Sequence, residues 1–233
     1  MNLFYAPSLE GNRFTLNEEE SKHCIRTLRL KKGDILHLTD GNGNLFETSI
    51  LDPNPKRCNV EVNSIRKYYQ KRNVFLHIAI APTKNTGRFE WFLEKATEIG
   101  IDEITPLICK YSERVQIRVP RLEKVLIAAM KQSLKAYLPR LHEPVRFDTF
   151  IQLPFEGRKF IASCEPDVTI QLSTIYQKGT NALILIGPEG DFSKEEIVSA
   201  IKSGFIPISL GKSRLRTETA GIVACHTINF LNQ

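Results

Sequence analysis

From residue 74 onward, short apolar stretches alternate with longer amphipathic ones, and this rhythm restricts the chain to an α/β fold with a largely parallel sheet. The apolar stretches predict strands at 74–81, 104–109, 159–164, 182–187 and 206–210. The amphipathic stretches predict helices at 88–100, 121–138, 193–204 and 219–230. Ser193 and Glu196 form a capping-box pattern at the start of the third helix, and Gly204 ends it.

The first 72 residues have a different, mostly β pattern. Strands are predicted at 34–40, 45–51 and 60–65, and the sequence Asp-Gly-Asn-Gly-Asn between the first two indicates a hairpin turn. One helix is predicted at 18–29. These elements fit a small β-barrel with one helix, and the polar, charged segment 70–73 marks its end. We therefore predict two domains, at residues 1–72 and 73–233.

Composition excludes several classes of protein. The chain is 42% hydrophobic and 25% charged, which is ordinary for a globular protein and excludes a disordered one. No apolar run approaches the roughly 18 residues of a membrane span, and no signal-peptide pattern opens the chain. The five cysteines lack the close spacing of a zinc or redox site. Reduced thiols in a cytoplasmic protein are therefore expected.

Several familiar motifs are missing. Neither G-x-G-x-x-G after a strand nor G-x-x-x-x-G-K-[ST] occurs, so the sequence supports neither a dinucleotide nor a nucleoside triphosphate site. The absence of G-x-S-x-G argues against a serine hydrolase. The five histidines show no H-x-x-x-H spacing, so no zinc site is predicted.

The positive charge of the chain is clustered. The net charge is +6, and residues 110–140 alone hold eight basic and two acidic side chains, a balance of +6. Lys124, Lys131 and Lys135 are predicted to share the outer face of the helix at 121–138. A clustered excess favours a polyanionic partner such as a nucleic acid, although a solvated helix face has the same pattern.

Two segments depart from the strand–helix rhythm, and the first is 183–196. There a buried-looking strand runs into Gly187-Pro188-Glu189-Gly190 before the capped helix begins. Two glycines around a rigid proline let the backbone approach a ligand closely. The carboxyl end of a strand is also where open α/β sheets place their sites. A tight strand–helix turn would give the same pattern.

The second segment is 208–221. A strand exits into Gly211, a short loop follows with Lys212, Arg214 and Arg216, and Thr217-Glu218-Thr219 opens a helix. A helix N-terminus offers free N–H donors and a partial positive field. Glu218 is explained by ordinary capping, but the charge of Arg216 between a strand exit and a helix start indicates a ligand.

Together, LILIGPEGDFSKEE (183–196) and SLGKSRLRTETA (209–220) resemble the RsmE family of 16S ribosomal RNA uracil-N3 methyltransferases, in the SPOUT superfamily. Segments 23–34, 84–106, 111–115 and 131–139 are also similar to the family, so the resemblance covers essentially the whole chain. There are departures as well. Asp191 follows Gly190 where the family more often has a further glycine, and Lys131 and Lys135 stand at the family's Glu and Arg positions.

The resemblance implies a C-terminal α/β domain with a deep trefoil knot, and an N-terminal PUA-like domain that binds RNA. S-adenosylmethionine would bind in the knot, and the working unit would be a homodimer. The implied substrate is a single uridine in helix 44 of 16S rRNA, in the small ribosomal subunit. Neither a metal nor a membrane is expected.

The resemblance also implies which residues act. Arg216 would stabilise the uracil anion, because N3 is a poor nucleophile until its proton leaves, and Glu218 or Glu189 would accept that proton. The implied cofactor-binding residues are Ser163, Glu165, Ile186, Gly187, Pro188, Glu189, Gly190, Leu210, Gly211, Leu215, Arg216 and Ala220. The implied RNA-binding residues are His23, Arg26, Arg29, Lys84, Arg88, Arg114, Lys124, Lys131 and Lys135.

Two other functions fit the same features. The chain could be a SPOUT ribose 2′-O-methyltransferase that acts on tRNA or rRNA. It could also be a non-catalytic RNA-binding assembly factor that keeps the fold.

Overall fold

The computed structural model describes residues 2–9, 11–165 and 167–233. The chain divides into two compact units. The first contains residues up to 71 together with 127–138, and the second contains 72–126 together with 139–233. The predicted domain boundary between residues 72 and 73 stays a prediction.

The first unit is built on a five-stranded sheet, in the order β1-β3-β4-β5-β2. The strands are β1 (Leu3–Tyr5), β2 (Arg13–Thr15), β3 (Ile35–Thr39), β4 (Leu45–Asp52) and β5 (Asn59–Arg66). The three longer strands confirm the predicted ones. β1 and β2 have three residues each, too few for alternation to mark them in the sequence. The closure of this sheet into a barrel stays a prediction.

The predicted hairpin turn joins β3 to β4. The Oδ1 atom of Asp40 accepts hydrogen bonds from the N–H groups of Asn42 and Asn44, at 2.8 and 3.2 Å. Gly41 and Gly43 have φ angles of 79° and 93°, which an L side chain rarely adopts. The turn residues therefore suit this hairpin both in their side-chain hydrogen bonds and in their backbone conformation.

The helix predicted at 18–29 forms only in part. α1 (Glu18–Lys22) begins after Asn17, whose side chain accepts a hydrogen bond from the Glu20 N–H at 2.8 Å. It continues as a π-helical turn, His23–Thr27, and the chain leaves with Arg29 at a φ of 57°. A 3.6-residue period indicates helix here but cannot indicate the wider turn.

The second unit is built on a parallel sheet, in the order β12-β10-β11-β6-β7-β8, with β9 also paired to β7. The strands are β6 (Leu76–Ile80), β7 (Glu103–Ile108), β8 (Arg140–Leu141), β9 (Val145–Arg146), β10 (Arg158–Ala162), β11 (Ala182–Ile186) and β12 (Ile206–Ile208). All the recorded pairings in this sheet are parallel. The predicted parallel α/β architecture is therefore confirmed.

The two central strands of this sheet are shielded from solvent. β6 and β11 are buried along their whole length. His77 in β6 is the polar exception in these two strands, and burial lowers the pKa of His77 to about 4 although the charge of Glu103 opposes the shift. The imidazole ring is therefore neutral at pH 7.

Helices cover both faces of the sheet. The helices on its two sides are α2 (Thr86–Ile99), α4 (Phe147–Phe150), α6 (Lys194–Lys202) and α7 (Thr217–Leu231), and α5 (Leu172–Ile175) packs against α7. A further helix, α3 (Val119–Gln132), has residues in both units. A core of Leu183, Leu185 and neighbouring residues packs with α4 and α6. On the other side α7 packs against α2, and a Cβ at Gly221 would lie 2.6 Å from Phe92 and 2.9 Å from Ile80. Glycine therefore permits the close approach of α7 to α2 and β6.

α3 is shorter than predicted. The helix ends at Gln132 and not at residue 138. The reason lies just beyond it, where Leu134 adopts a φ of 57° and the Ser133 hydroxyl donates to the Ala129 carbonyl at 2.7 Å. Lys135 therefore lies outside the helix, so the predicted continuous face of three lysines does not form.

Because the strands of the second unit are parallel, the exits of β6, β7, β10, β11 and β12 all lie at one edge of the sheet. That edge holds the two segments that depart from the strand–helix rhythm. No helix among the described residues is long and apolar enough to cross a membrane.

Candidate active site at the carboxyl edge of the sheet

The exit of β11 forms a tight turn. Ile186, Gly187 and Pro188 are buried, and the chain then emerges so that Glu189 and Gly190 are exposed. The Asp191 N–H closes the turn by donating to the Pro188 carbonyl at 2.9 Å. A Cβ at Gly187 would lie 3.1 Å from the Phe192 ring, so glycine lets that ring pack over the strand exit.

Asp191 connects this turn to the exit of β10. Its φ is 64°, a conformation that glycine adopts freely and that Asp tolerates better than most residues. Its side chain accepts hydrogen bonds from the Cys164 N–H at 2.8 Å and the Phe192 N–H at 2.8 Å. Asp191 thus adopts a conformation that glycine adopts freely, and its side chain adds a link between two loops.

Ser163 lies where the exits of β10, β11 and β12 meet. Its N–H donates to the Ile208 carbonyl at 3.1 Å, at the end of β12. Its hydroxyl lies 3.4 Å from the Asp191 Oδ2 atom and accepts from the Glu165 N–H at 3.1 Å. Two predicted cofactor-binding residues, Ser163 and Glu165, are therefore in direct contact with each other, and Ser163 also contacts Asp191 in the β11 turn.

Glu189 connects the β11 turn to the exit of β6. Its Oε1 atom accepts a hydrogen bond from the Lys84 N–H at 2.9 Å. The Arg114 guanidinium donates to the Lys84 carbonyl at 2.8 Å, and the Lys84 ammonium pairs with Glu113 at 2.8 Å. Because Glu113 is so close, it raises the pKa of Lys84. Lys84 and Arg114, predicted to bind RNA, are thus part of the network that holds these loops.

The exit of β12 carries the second segment. Gly211 has a φ of 129°, and a Cβ there would meet no atom within 4 Å. The Ser209 hydroxyl donates to the Gly211 carbonyl at 3.0 Å and shapes this loop. Leu210 and Leu215 are half-buried on either side of it.

Arg216 is the N-cap residue of α7, and its side chain is exposed and makes no capping hydrogen bond. The partial positive charge of a helix N-terminus does not favour a cation there. Helix stability therefore does not explain an arginine at this position, whereas an anionic ligand would.

Glu218 lies in the first turn of α7 and is buried, with 6% of its surface exposed. Its Oε1 atom lies 3.8 Å from the Arg88 Nε atom of α2. The N-terminus of α7 and the Arg88 guanidinium both place positive charge near this carboxyl group. Ala220, two residues further on, is half-buried.

The remaining predicted RNA-binding residues differ in how exposed they are. His23, Arg26 and Arg29 are exposed around the π-helical turn of the first unit. Lys124 is exposed on α3. Lys131 is half-buried, because its ammonium pairs with the buried Glu20 carboxylate at 2.5 Å. An RNA-binding role for Lys131 remains a prediction, but its charge is already matched within the first unit.

Sequence reasoning missed two contributors to this edge. Asp191 was identified only as a departure from the family pattern, yet it holds two loop exits together. Tyr111 was not singled out, although a Cβ at Gly190 would lie 3.5 Å from the Tyr111 Cβ atom. The only signal for Tyr111 was its position in the Tyr-Ser-Glu-Arg-Val segment that resembles the family.

Known proteins resemble the chain over its full length. A family model described as an RNA methyltransferase domain matches residues 70–229, and one described as an RNA methyltransferase PUA domain matches residues 16–63. The ribosomal RNA small subunit methyltransferase E of Mesomycoplasma hyopneumoniae is 31% identical, over 95% of this chain and 96% of its own length. The enzyme of the same name from Buchnera aphidicola is 28% identical, over 95% and 90%.

Solved structures agree with these matches. A probable rRNA-methyltransferase from Porphyromonas gingivalis has a TM-score of 0.93 and is 44% identical, over 100% of this chain and 98% of that one. A protein of Legionella pneumophila described as a methyltransferase, solved with the bound cofactor SAM, has a TM-score of 0.88 and is 30% identical, over 99% and 97%. The chain therefore belongs to the RNA methyltransferase family that includes ribosomal RNA small subunit methyltransferase E.

Proposed function

We propose that this chain transfers a methyl group from S-adenosylmethionine to N3 of a single uridine in 16S ribosomal RNA. The observation that supports this best is that the loops after three strands are hydrogen-bonded to one another at one edge of the sheet. Hydrogen bonds through Ser163 and Asp191 hold the exits of β10, β11 and β12 together. Two of these exits are the segments that resemble the family most closely, and its named members methylate ribosomal RNA of the small subunit.

The loops at this edge fit S-adenosylmethionine by their chemistry. Gly187 and Pro188 give a buried backbone wall, the exposed Gly190 adds no side chain of its own, and Gly211 has open space beside it. Half-buried Leu210 and Leu215 offer apolar surface to an adenine ring. We propose that these loops form a trefoil knot around the cofactor, as the family resemblance implies. When bound, S-adenosylmethionine supplies an electrophilic methyl group on a sulfonium sulfur.

The protein must also make uracil N3 nucleophilic. N3 carries a proton, and its anion places negative charge on the neighbouring carbonyl oxygens. The exposed guanidinium of Arg216 can stabilise that charge as it develops. Glu189, exposed at the tip of the β11 turn, and Glu218, buried beside Arg88, are the proposed proton acceptors. Variants Glu189→Gln and Glu218→Gln separate them, because loss of the base removes the acidic limb of the pH–rate profile.

The target uridine has to leave its stacked or paired context for N3 to be reached. We propose that exposed basic residues bind the surrounding phosphates, namely Arg26 and Arg29 near the π-helical turn and Lys124 on α3. The PUA domain then adds RNA affinity that the methyltransferase domain alone lacks. We further propose a cytoplasmic homodimer acting on the small ribosomal subunit, and light scattering of the purified protein tests the dimer.

The decisive experiment is a methylation assay. The purified chain is incubated with S-adenosylmethionine and with 16S rRNA, or small subunits, from a strain lacking its own enzyme, and nucleosides are identified by mass spectrometry. We expect 3-methyluridine, and a primer-extension stop at one uridine, because N3 methylation blocks Watson–Crick pairing. A 2′-O-methylated nucleoside would show instead a ribose methyltransferase, and no product with no cofactor binding would show an assembly factor.

The variant Gly190→Val tests whether the turn after β11 belongs to the cofactor site. Gly190 has an ordinary φ, and its Cβ position lies in van der Waals contact with Tyr111, so a folded protein is expected. The added side chain should weaken S-adenosylmethionine binding at least tenfold, about 1.4 kcal/mol, in calorimetry. Unchanged affinity in the folded variant would remove this turn from the cofactor site.

A further inference from the structure

Three side chains able to bind a metal come together away from the candidate active site. His77 in β6, Glu103 at the start of β7 and His142 just after β8 offer ligand atoms that all lie within 4.8 Å of one another. The sheet register explains the grouping, since His77 is opposite Glu103 and Glu103 is opposite Arg140. The three residues come from separate segments, which is why short histidine spacings gave no indication of a metal site.

The distances within the cluster suit a metal ion. The Glu103 Oε2 atom lies 2.7 Å from the His142 Nε2 atom and 3.7 Å from the His77 Nδ1 atom. Zinc with ligand bonds of about 2.0–2.2 Å holds the ligand atoms of a tetrahedral site roughly 3.4 Å apart. The two observed separations lie on either side of that value, and all the ligand atoms lie within 4.8 Å of one another, so side-chain movement is needed for one ion to bind all three.

Thr105 orients the buried histidine. The His77 Nε2 atom lies 2.8 Å from the Thr105 hydroxyl oxygen, in the interior of the unit. This contact occupies Nε2 and leaves Nδ1 directed at Glu103. Metal-binding histidines are commonly oriented through their second nitrogen in this way.

The cluster opens into a cavity of about 380 Å³. Apolar side chains form much of its lining, among them Phe75, Phe150 and Phe155, and the three candidate ligands lie in its wall. The strands that contribute to it do so near their amino ends, so the cavity lies at the edge of the sheet opposite to the candidate active site. Three protein ligands facing a cavity leave a coordination position free for a small ligand.

We propose that His77, Glu103 and His142 form a binding site for a divalent transition metal ion such as Zn²⁺, with an open position directed into this cavity. Two imidazoles and one carboxylate suit zinc and its first-row neighbours better than Mg²⁺ or Ca²⁺, which prefer oxygen ligands. The alternative is a metal-free network in which His142 donates a hydrogen bond to Glu103. The two states differ in whether the cluster takes up metal.

Cobalt provides the test, because Co²⁺ binds in place of zinc and its visible absorption strengthens when octahedral coordination by water gives way to four-coordinate binding. The full-length protein is dialysed against chelator and titrated with CoCl₂, followed by displacement with ZnCl₂. We expect one equivalent of Co²⁺ per chain, intensified absorption, and loss of that absorption on addition of one equivalent of zinc. Absence of saturable binding to the wild-type protein would overturn the proposal, whatever the variants do.

Two variants locate the site and one controls for it. His142→Gln keeps a hydrogen-bond donor for Glu103 in a half-buried position, so it should fold, and it should weaken Co²⁺ affinity at least tenfold. Glu103→Gln should do the same. His226→Gln changes an exposed histidine of α7 and should leave the affinity unchanged. Wild-type affinity in folded His142→Gln and Glu103→Gln proteins, or an equal loss in His226→Gln, would refute the assignment.

Discussion

At the scale of single residues, Arg216 makes the sharpest prediction. Its side chain is exposed and has no capping hydrogen bond in α7, so removing it should cost the fold little. If it stabilises the uracil anion, Arg216→Ala should lower kcat about 100-fold, roughly 2.7 kcal/mol, with little change in cofactor affinity. Higher pH should partly restore the rate, because solvent hydroxide then forms more of the anion. Single-turnover rates across pH measure both effects.

The control for this prediction is Arg214→Ala, which removes an equally exposed charge from the same loop. It should keep a rate within a fewfold of wild type. A purely structural Arg216 would give a less stable protein whose cofactor affinity falls together with its rate. A stable Arg216→Ala variant with a wild-type rate would end the catalytic assignment.

Asp191 offers a second test at this scale, because its backbone and side chain contribute separately. Asp191→Gly keeps the conformation at a φ of 64° and loses the hydrogen bonds to Cys164 and Phe192. Asp191→Ala loses the hydrogen bonds and adds backbone strain of about 1–2 kcal/mol. In urea unfolding, the free energy of unfolding of Asp191→Ala should therefore be lower than that of Asp191→Gly by about that amount. Equal stabilities would mean that the loop relaxes to a different conformation.

At the scale of elements, the sequence predicted most where local chemistry decides the structure. The five main strands of the second unit were identified by their apolar runs, and the capping box of α6 by Ser193 and Glu196. The four-residue helices α4 and α5 escaped detection, because they are too short to show a helical period. The early end of α3 escaped too, since a φ of 57° at Leu134 has no local signature in a leucine.

In the candidate site, too, the sequence indicated the segments that are continuous and not the contacts between distant residues. The glycine turn after β11 and the basic loop after β12 were recognised because each is continuous in sequence. The His77, Glu103 and His142 cluster was not, because sheet register and not sequence spacing brings these residues together. Likewise, the pairing of Lys131 with Glu20 depends on contacts between distant segments of the first unit.

The capping box of α6 makes a prediction about elements. Glu196 accepts hydrogen bonds from the Ser193 N–H at the helix start and from the Lys110 N–H after β7, both at 2.8 Å. Glu196→Ala leaves the buried Ser193 N–H and the Lys110 N–H without this partner and should cost about 2–4 kcal/mol of unfolding free energy in urea. Glu195→Ala, which removes a mostly exposed ion pair with Lys110, should cost under about 1 kcal/mol. Similar losses in the two variants would show that Glu196 is not the link.

At the scale of the whole molecule, Arg72 holds three elements of the second unit together. Its guanidinium donates to the Gly100 carbonyl at 2.8 Å and to the Asn229 side chain at 3.0 Å, and it pairs with Asp102. Burial raises the pKa of Asp102 above its usual value, although Arg72 and a backbone N–H oppose the shift. The carboxylate therefore depends on Arg72 whenever it is ionised.

Removing the charge of Arg72 should destabilise the protein by an amount that depends on pH. In Arg72→Met the folded pKa of Asp102 rises further, so ionising it in the folded state becomes costlier. The variant should lose roughly 2–3 kcal/mol near pH 7. The loss should shrink as the pH falls through the raised folded pKa of Asp102, because the protonated carboxyl group needs no charged partner. Urea unfolding at several pH values measures this, with Lys71→Met, an exposed neighbour, as control. A loss that does not change with pH would assign the effect to the Gly100 and Asn229 hydrogen bonds alone.

The net charge of +6 also belongs to this scale, because it bears on how strongly RNA binding responds to salt. Each phosphate contact with single-stranded RNA steepens the dependence of log affinity on log salt by about 0.7. Arg26 and Arg29 are exposed in the first unit, whereas Arg13 pairs with Glu61 at 3.2 Å. The double variant Arg26→Gln with Arg29→Gln should therefore flatten the slope by roughly 1.4 and weaken binding at low salt. Arg13→Gln removes one charge and should leave the slope nearly unchanged. If both variants shift the slope in proportion to the charge removed, binding follows overall charge, and the π-helical turn is not a distinct RNA contact.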